Sequence, residues 1–245
     1  MKQKIKVICI PYAGGNSYAY KNFKTHFTEN FEYILVELPG RGTRVDEALL
    51  YDAQSLVNDV HEQVKEHLNG PYVIFGHSMG GLLGYLLAKK IVARGIEKPL
   101  YMFFTGCEGP MSQEDEEAIF ELPKDEFISK IKELGGSPIE ILNNDELMAF
   151  YEPILRADFT VTDTYKYEKT EPFDIPLMVI IGINEKITFR QANTWRKETT
   201  GPIEIRQLPG NHFFLFDYEA DIVKLMMRKI STVAPEYKGL SLKAR

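Results

Sequence analysis

Tyr72-Val73-Ile74-Phe75-Gly76-His77-Ser78-Met79-Gly80-Gly81 decides the reading of this chain. The first four residues read as a buried strand, and the run from Met79 to about Arg94 reads as a helix. Between them stands Gly-x-Ser-x-Gly. In that context the pattern marks a sharp strand-to-helix turn that lifts the serine hydroxyl clear of the sheet edge. Side chains at the flanking positions would collide, so glycine is needed at Gly76 and Gly80. The helix that follows aims its N-terminus at any oxyanion formed on Ser78.

The same alternation runs outward in both directions. Short apolar runs at 5–10, 33–38, 71–76, 99–105, 176–182 and 203–208 are nearly continuous, as buried parallel strands are. Helical patterns lie between them, at 52–68, 79–94, 188–199 and 217–230. The first sets Leu56, Val57, Val60, Val64 and Leu68 on one face. The expected architecture is an α/β fold: a mainly parallel sheet of about six or seven strands with helices on both faces. One stretch breaks the pattern. From about 111 to 172 no strand is evident, and two helical runs open near Pro123 and Asn143. This predicts a helical insertion within a single domain spanning 1–245, placed to act as a lid. Its apolar residues Met111, Phe120, Phe127, Ile131, Leu147, Phe150 and Tyr151 either line an acyl tunnel or form its own core. The tail after about Ser231 is expected to be loosely held.

Composition excludes several classes. The chain has 245 residues, with 29 Lys and Arg against 35 Asp and Glu, a net charge of −6. Fifteen Phe and 13 Tyr supply a substantial core. The acidic balance argues against nucleic-acid binding, which rests on neutralising phosphates. No run approaches the roughly 20 apolar residues of a membrane span, and the short N-terminal apolar run does not read as a signal peptide. Cys9 and Cys107 are expected to be buried free thiols, which suits a reducing cytoplasm.

A serine nucleophile needs a base. In folds built on such an elbow the chain order is serine, acid, histidine. Past Ser78 the only histidine is His212, in Gly210-Asn211-His212-Phe213-Phe214 directly after the last strand. His77 reads as structural, and His26, His61 and His67 precede the elbow on helical stretches. Two acids compete. Glu185, after the fifth strand, would sit beside the His212 loop and orient its imidazole. Glu108, after the fourth strand, also ends near the elbow. Asp217 is expected to point away. An oxyanion hole needs two backbone donors. One is the N–H of Met79; the other comes from the glycine-rich loop after the first strand, from Tyr12 or from Ala13. No metal-ligand spacing and no nucleotide-binding glycine motif is present, so no metal or cofactor is expected.

Six segments together carry a resemblance. They are Ile10-Pro11-Tyr12-Ala13-Gly14-Gly15, Leu38-Pro39-Gly40-Arg41-Gly42, the Ser78 elbow, Leu134-Gly135-Gly136-Ser137-Pro138, Arg156-Ala157-Asp158-Phe159 and the His212 segment. Over nearly its whole length the chain resembles the stand-alone type II thioesterases of non-ribosomal peptide and polyketide synthesis. That resemblance implies an α/β-hydrolase fold with a helical lid and a Ser-acid-His triad. It implies hydrolysis of acyl groups from the phosphopantetheine arm of acyl or peptidyl carrier proteins with no cofactor of the enzyme's own; a cytoplasmic monomer is expected. The chain departs from the family at one triad position: Glu185 stands where the family carries Asp. The departure leaves Glu108 open as the acid. A small-molecule esterase or lipase, and a non-catalytic binding protein on the same fold, are the rival readings.

Overall fold

Six strands pair in parallel in the order β2-β1-β3-β4-β5-β6. The computed structural model describes residues 3–111, 118–135 and 142–237. The strands are β1 (Ile5–Ile10), β2 (Phe31–Leu35), β3 (Tyr72–His77), β4 (Tyr101–Thr105), β5 (Leu177–Gly182) and β6 (Ile203–Leu208). The helices are α1 (Phe23–His26), α2 (Ala53–Val64), α3 (Met79–Ala93), α4 (Lys124–Leu134), α5 (Asp145–Thr164), α6 (Phe189–Asn193) and α7 (Glu219–Val233).

Successive residues of a strand face opposite sides of the sheet, and this divides the core in two. Ile8, Ile10, Ile74, Phe104 and Val179 meet α2, α3 and the buried Trp195 on one face. Val7, Cys9, Val73, Phe75, Phe103 and Ile180 meet α1 and α7 on the other. Strands buried on both faces are mostly apolar, which is why β1, β3, β4 and β5 read as nearly continuous runs. Full burial of each Ile, Leu or Phe contributes about 1.5–3 kcal/mol. α2 starts where the Asp52 carboxylate accepts from the Ser55 N–H at 2.8 Å, a cap worth about 1 kcal/mol.

The edges depart from the sequence expectation. β2 lies at Phe31–Leu35 rather than 33–38. Val36 and Leu38 are buried, but the Glu37 N–H donates to the Gln63 side chain at 3.2 Å, not to a neighbouring strand. Apolarity there reports burial of a loop. β6 is only half-buried, with exposed Arg206 and Gln207; as an edge strand it needs no continuous apolar run. The expected helix at 188–199 is a short α6 followed by a 3₁₀ turn, Thr194–Lys197.

α4 and α5 fill the stretch between β4 and β5, around a small core of Phe127, Ile131, Leu142, Met148 and Leu155. Phe127 and Ile131 therefore belong to that core and not to a tunnel. Met111, Leu147 and Phe150 are exposed. Residues 112–117 of this stretch, and Gly136-Ser137-Pro138 of the shared motif, lie outside the described residues. The expected looseness after Ser231 is corrected for the first residues of that tail, where α7 continues to Val233; residues 238–245 lie outside the described residues. Tyr237 is buried, and its hydroxyl donates to the Gln3 carbonyl at 2.7 Å.

Candidate active site

Ser78 is the turn between β3 and α3, with φ 53° and ψ −123°. Among the described residues it is the one non-glycine at positive φ. Such a conformation costs about 1–3 kcal/mol and persists only where its surroundings enforce it. The surroundings are visible here. The Ser78 N–H donates to the Thr105 carbonyl at 2.8 Å, and its carbonyl accepts from Gly81 N–H at 2.8 Å. A Cβ on Gly76 would stand 2.2 Å from the Gly80 oxygen, and one on Gly80 would stand 2.2 Å from the Ile10 oxygen. Both glycines are required, as the motif predicts, and the second presses α3 against the loop that leaves β1.

His212 lies on the loop after β6, and its Nδ1 is 2.7 Å from Glu185 Oε2. The Glu185 side chain is almost wholly buried, and its Oε1 accepts from the Gly182 N–H at 2.5 Å. The extra methylene of Glu relative to Asp is taken up by bending back onto the end of β5. The two loops are tied together by the Asn184 N–H, which donates to the Gly210 carbonyl at 2.9 Å. With Nδ1 on the carboxylate, Nε2 is the ring nitrogen left for the serine side. Ser78 and His212 line one cleft of about 150 Å³ with Met79, Leu82, Cys107 and Ile187. Glu108 lines the same cleft and an adjoining one of about 280 Å³ that Glu185 and His212 also border. No His/Cys/Asp/Glu group suited to a metal ion occurs among the described residues.

His77 is fully buried beneath the site. Its Nδ1 lies 3.0 Å from the Thr105 hydroxyl, and its ring packs 4.7 Å from that of His212. Burial, with His212 adding to it, holds the His77 imidazole well below its ordinary pKa. It is a neutral plate behind the base. His26, His61 and His67 lie away from the cleft, and Asp217 follows the 3₁₀ turn that precedes α7.

The loop facing the elbow carries Tyr12 and Ala13. The Gly15 N–H closes a turn onto the Tyr12 carbonyl at 2.8 Å. The Tyr12 ring packs edge-on against His77 and Phe213, at 5.8 and 4.9 Å between centroids. Burial raises its phenol to about 12.

Sequence reasoning left three of the shared segments without a task. The structure joins two of them, those that carry Arg41 and Asp158. Arg41 and Asp158 form a bidentate ion pair at 2.5 and 2.7 Å, with side chains only 5% and 1% exposed. Asp158 Oδ2 also accepts from Gly14 N–H at 2.7 Å, and Arg41 donates to the Gly15 carbonyl at 3.3 Å. A lone Arg and a lone Asp 117 positions apart give no local signal of pairing. Their presence in two separately matching motifs was the available hint.

The scaffold is the α/β-hydrolase fold, and the elbow serine beside a carboxylate-oriented histidine places the chain in the serine hydrolase class. The sequence model of the thioesterase domain matches residues 5–230, and the chain belongs to that family. It is similar to the gramicidin S biosynthesis protein GrsT of Aneurinibacillus migulanus, 32% identical over 94% of this chain and 90% of that one. Among solved structures it is similar to ClbQ from the colibactin NRPS/PKS pathway. That likeness has a TM-score of 0.90 at 28% identity, over 96% of this chain and 100% of that one. RedJ, the thioesterase from the prodiginine biosynthetic pathway in Streptomyces coelicolor, gives 0.86 at 29% identity, over 93% and 86%. Among the described residues no helix is long and apolar enough to cross a membrane.

Proposed function

We propose that this chain is a type II thioesterase that hydrolyses acyl groups from the phosphopantetheine arm of acyl or peptidyl carrier proteins, clearing misprimed or stalled units of a peptide or polyketide assembly line. The observation that carries the chemistry is the 2.7 Å contact of His212 Nδ1 with Glu185, set beside the strained Ser78. The carrier-protein substrate is supported by the similarity to a biosynthesis protein and to enzymes of such pathways.

Ser78 Oγ attacks the thioester carbonyl while His212 Nε2 takes its proton. Glu185 holds the imidazole in the tautomer with Nδ1–H and stabilises the imidazolium. The N–H groups of Met79 and Tyr12, with Ala13 next to it, receive the oxyanion. Collapse expels the thiolate, protonated by His212. A water that gives its proton to His212 then attacks the acyl-serine, and the second collapse releases the acid and restores Ser78. Apo serine–histidine contacts are often long and tighten on substrate binding. Glu185 takes the role of acid over Glu108 because it holds Nδ1 and has its other oxygen anchored by Gly182. The stretch 111–172 acts as the lid of a single 1–245 domain. All three triad side chains come from one chain, so a monomer suffices.

The deciding experiment compares an acyl-carrier-protein thioester with the same acyl group on a short thiol. Remote contacts to the carrier can align the reacting centre, so kcat/KM should favour the carrier-bound substrate by about tenfold or more. Equal efficiency would point to a small-molecule esterase.

A further inference from the structure

The loop that carries Tyr12 has few means of holding itself. It leaves β1 at Pro11, turns through Gly14 at φ +76°, and contains two adjacent glycines. Its backbone is nonetheless fixed from outside, and both groups that hold Gly14 come from α5. Asp158 accepts the Gly14 N–H, Tyr151 donates its hydroxyl to the Gly14 carbonyl at 3.0 Å, and Arg41 reaches the Gly15 carbonyl. On the far side Glu37 accepts from the Ser17 N–H at 2.9 Å and its hydroxyl at 2.8 Å. α5 lies so close that a Cβ on Gly14 would stand 2.5 Å from Tyr151 Oη and 2.6 Å from Leu155 Cδ2.

Packing alone could have held α5 against this loop. A buried ion pair is an expensive substitute, because desolvating both charges can exceed their attraction, and apolar residues of similar volume often serve stability as well or better. What the pair supplies that apolar residues cannot is direction. A carboxylate clamped by a guanidinium presents its oxygen to one particular N–H, and so sets the orientation of the peptide plane at Gly14. The peptide planes of Tyr12 and Ala13 lie immediately upstream.

We propose that Arg41 and Asp158 are positioning residues for catalysis. They orient the Tyr12–Gly14 backbone as half of the oxyanion hole and couple that half to α5, so that a shift of the insertion shifts the hole. The proposal rests on the reading of Tyr12 as an oxyanion donor. Losing a donor outright lowers kcat by about 10²–10³-fold; displacing one by a fraction of an ångström should lower it by about 10–100-fold.

The test uses the full chain, an acyl-carrier-protein thioester and an alkyl boronic acid, which adds to the Ser78 hydroxyl as a tetrahedral anion. Asp158→Asn should lower kcat by about 10–100-fold with KM within about threefold. Because one buried partner is left uncompensated, it should also lower Tm. Arg41→Met/Asp158→Leu separates the two effects. It should restore Tm to within about 3 °C of the parent while kcat stays low, and boronate affinity should fall by the same factor as kcat/KM. Recovery of kcat to within about threefold of the parent, or unchanged boronate affinity, would overturn the proposal. If the double variant does not fold, Tyr151→Phe decides. A loss of more than about threefold in kcat at unchanged Tm supports the proposal, and a smaller one overturns it. Failure of the proposed serine mechanism itself looks different: the boronate would bind Ser78→Ala as well as it binds the parent, whatever Asp158 does.

Discussion

The elbow at Ser78 and the Pro11–Asn16 loop that faces it are built on opposite plans. The elbow's turn is written locally: Gly76, Ser78 and Gly80 form it between the strand before and the helix after, and the Thr105 carbonyl and the end of β1 only brace it. The loop is held by Arg41, Tyr151 and Asp158, which lie 26 to 144 positions away along the chain. Local construction makes the elbow rigid and readable. Distant construction makes the loop adjustable, and it ties the loop to whatever the insertion does.

The largest expected effect lies on the elbow. Ser78→Ala removes the nucleophile and should lower turnover by about 10⁴-fold or more. Alanine keeps the Cβ at positive φ, so the backbone strain is unchanged and Tm should hold; single-turnover hydrolysis and thermal unfolding check both. Substantial turnover by the folded variant would sink the mechanism.

The histidine arm stands between the two plans, since Glu185 and His212 come from adjacent strand ends. Glu185→Gln leaves the shape intact but favours the wrong imidazole tautomer, so kcat should fall by about 10²–10⁴-fold. Glu108→Gln should stay within about threefold of the parent, because Glu108 does not orient the base in this mechanism. Steady-state kinetics on the pair would expose a reversed assignment at once.

Gly14→Ala attacks the loop where α5 presses on it. The new methyl must displace Tyr151 or Leu155 and adopt positive φ. Overpacking of this kind costs about 1–3 kcal/mol, seen as a lower denaturation midpoint, and kcat should drop with it. The same substitution at Gly95, also at positive φ but with open space around it, should leave kcat unchanged. Equal losses of kcat at the two sites would mean that backbone strain, not contact with α5, matters.

The smallest effect is on pH dependence, and it belongs to the elbow. His77 stays neutral in the folded protein well below its ordinary 6.5, while the unfolded chain protonates it near that value. The unfolded state thus binds more protons below pH 6.5, so the contribution of His77 is complete above that pH and declines as pH falls. One such group changes unfolding free energy by at most about 1.4 kcal/mol per pH unit. Denaturant unfolding from pH 7.5 to 5 should show the decline, and His77→Gln should flatten it. An unchanged slope would mean that His77 is protonated in the fold.

The sequence by itself determined the parallel sheet, the elbow and its two glycines, and it supplied the candidate base. Each follows from residues adjacent in the chain: apolar runs, a turn that tolerates no side chain, a histidine directly after a strand. It also named both acids and preferred Glu185, because the end of the fifth strand was expected beside the His212 loop. What the fold adds is which carboxylate the chain brings to Nδ1, and how Gly182 anchors the longer Glu side chain. Apolar patterning misplaced β2 and underrated the C-terminal segment, because burial in a loop and burial in a strand look alike in one dimension. Tyr237 is held by Gln3, at the opposite end of the chain. Only the tertiary structure could disclose the Arg41–Asp158 pair. A buried ion pair is written in the sequence as two unrelated charges, and only the folded backbone puts the guanidinium, the carboxylate and the Gly14 N–H within reach of one another.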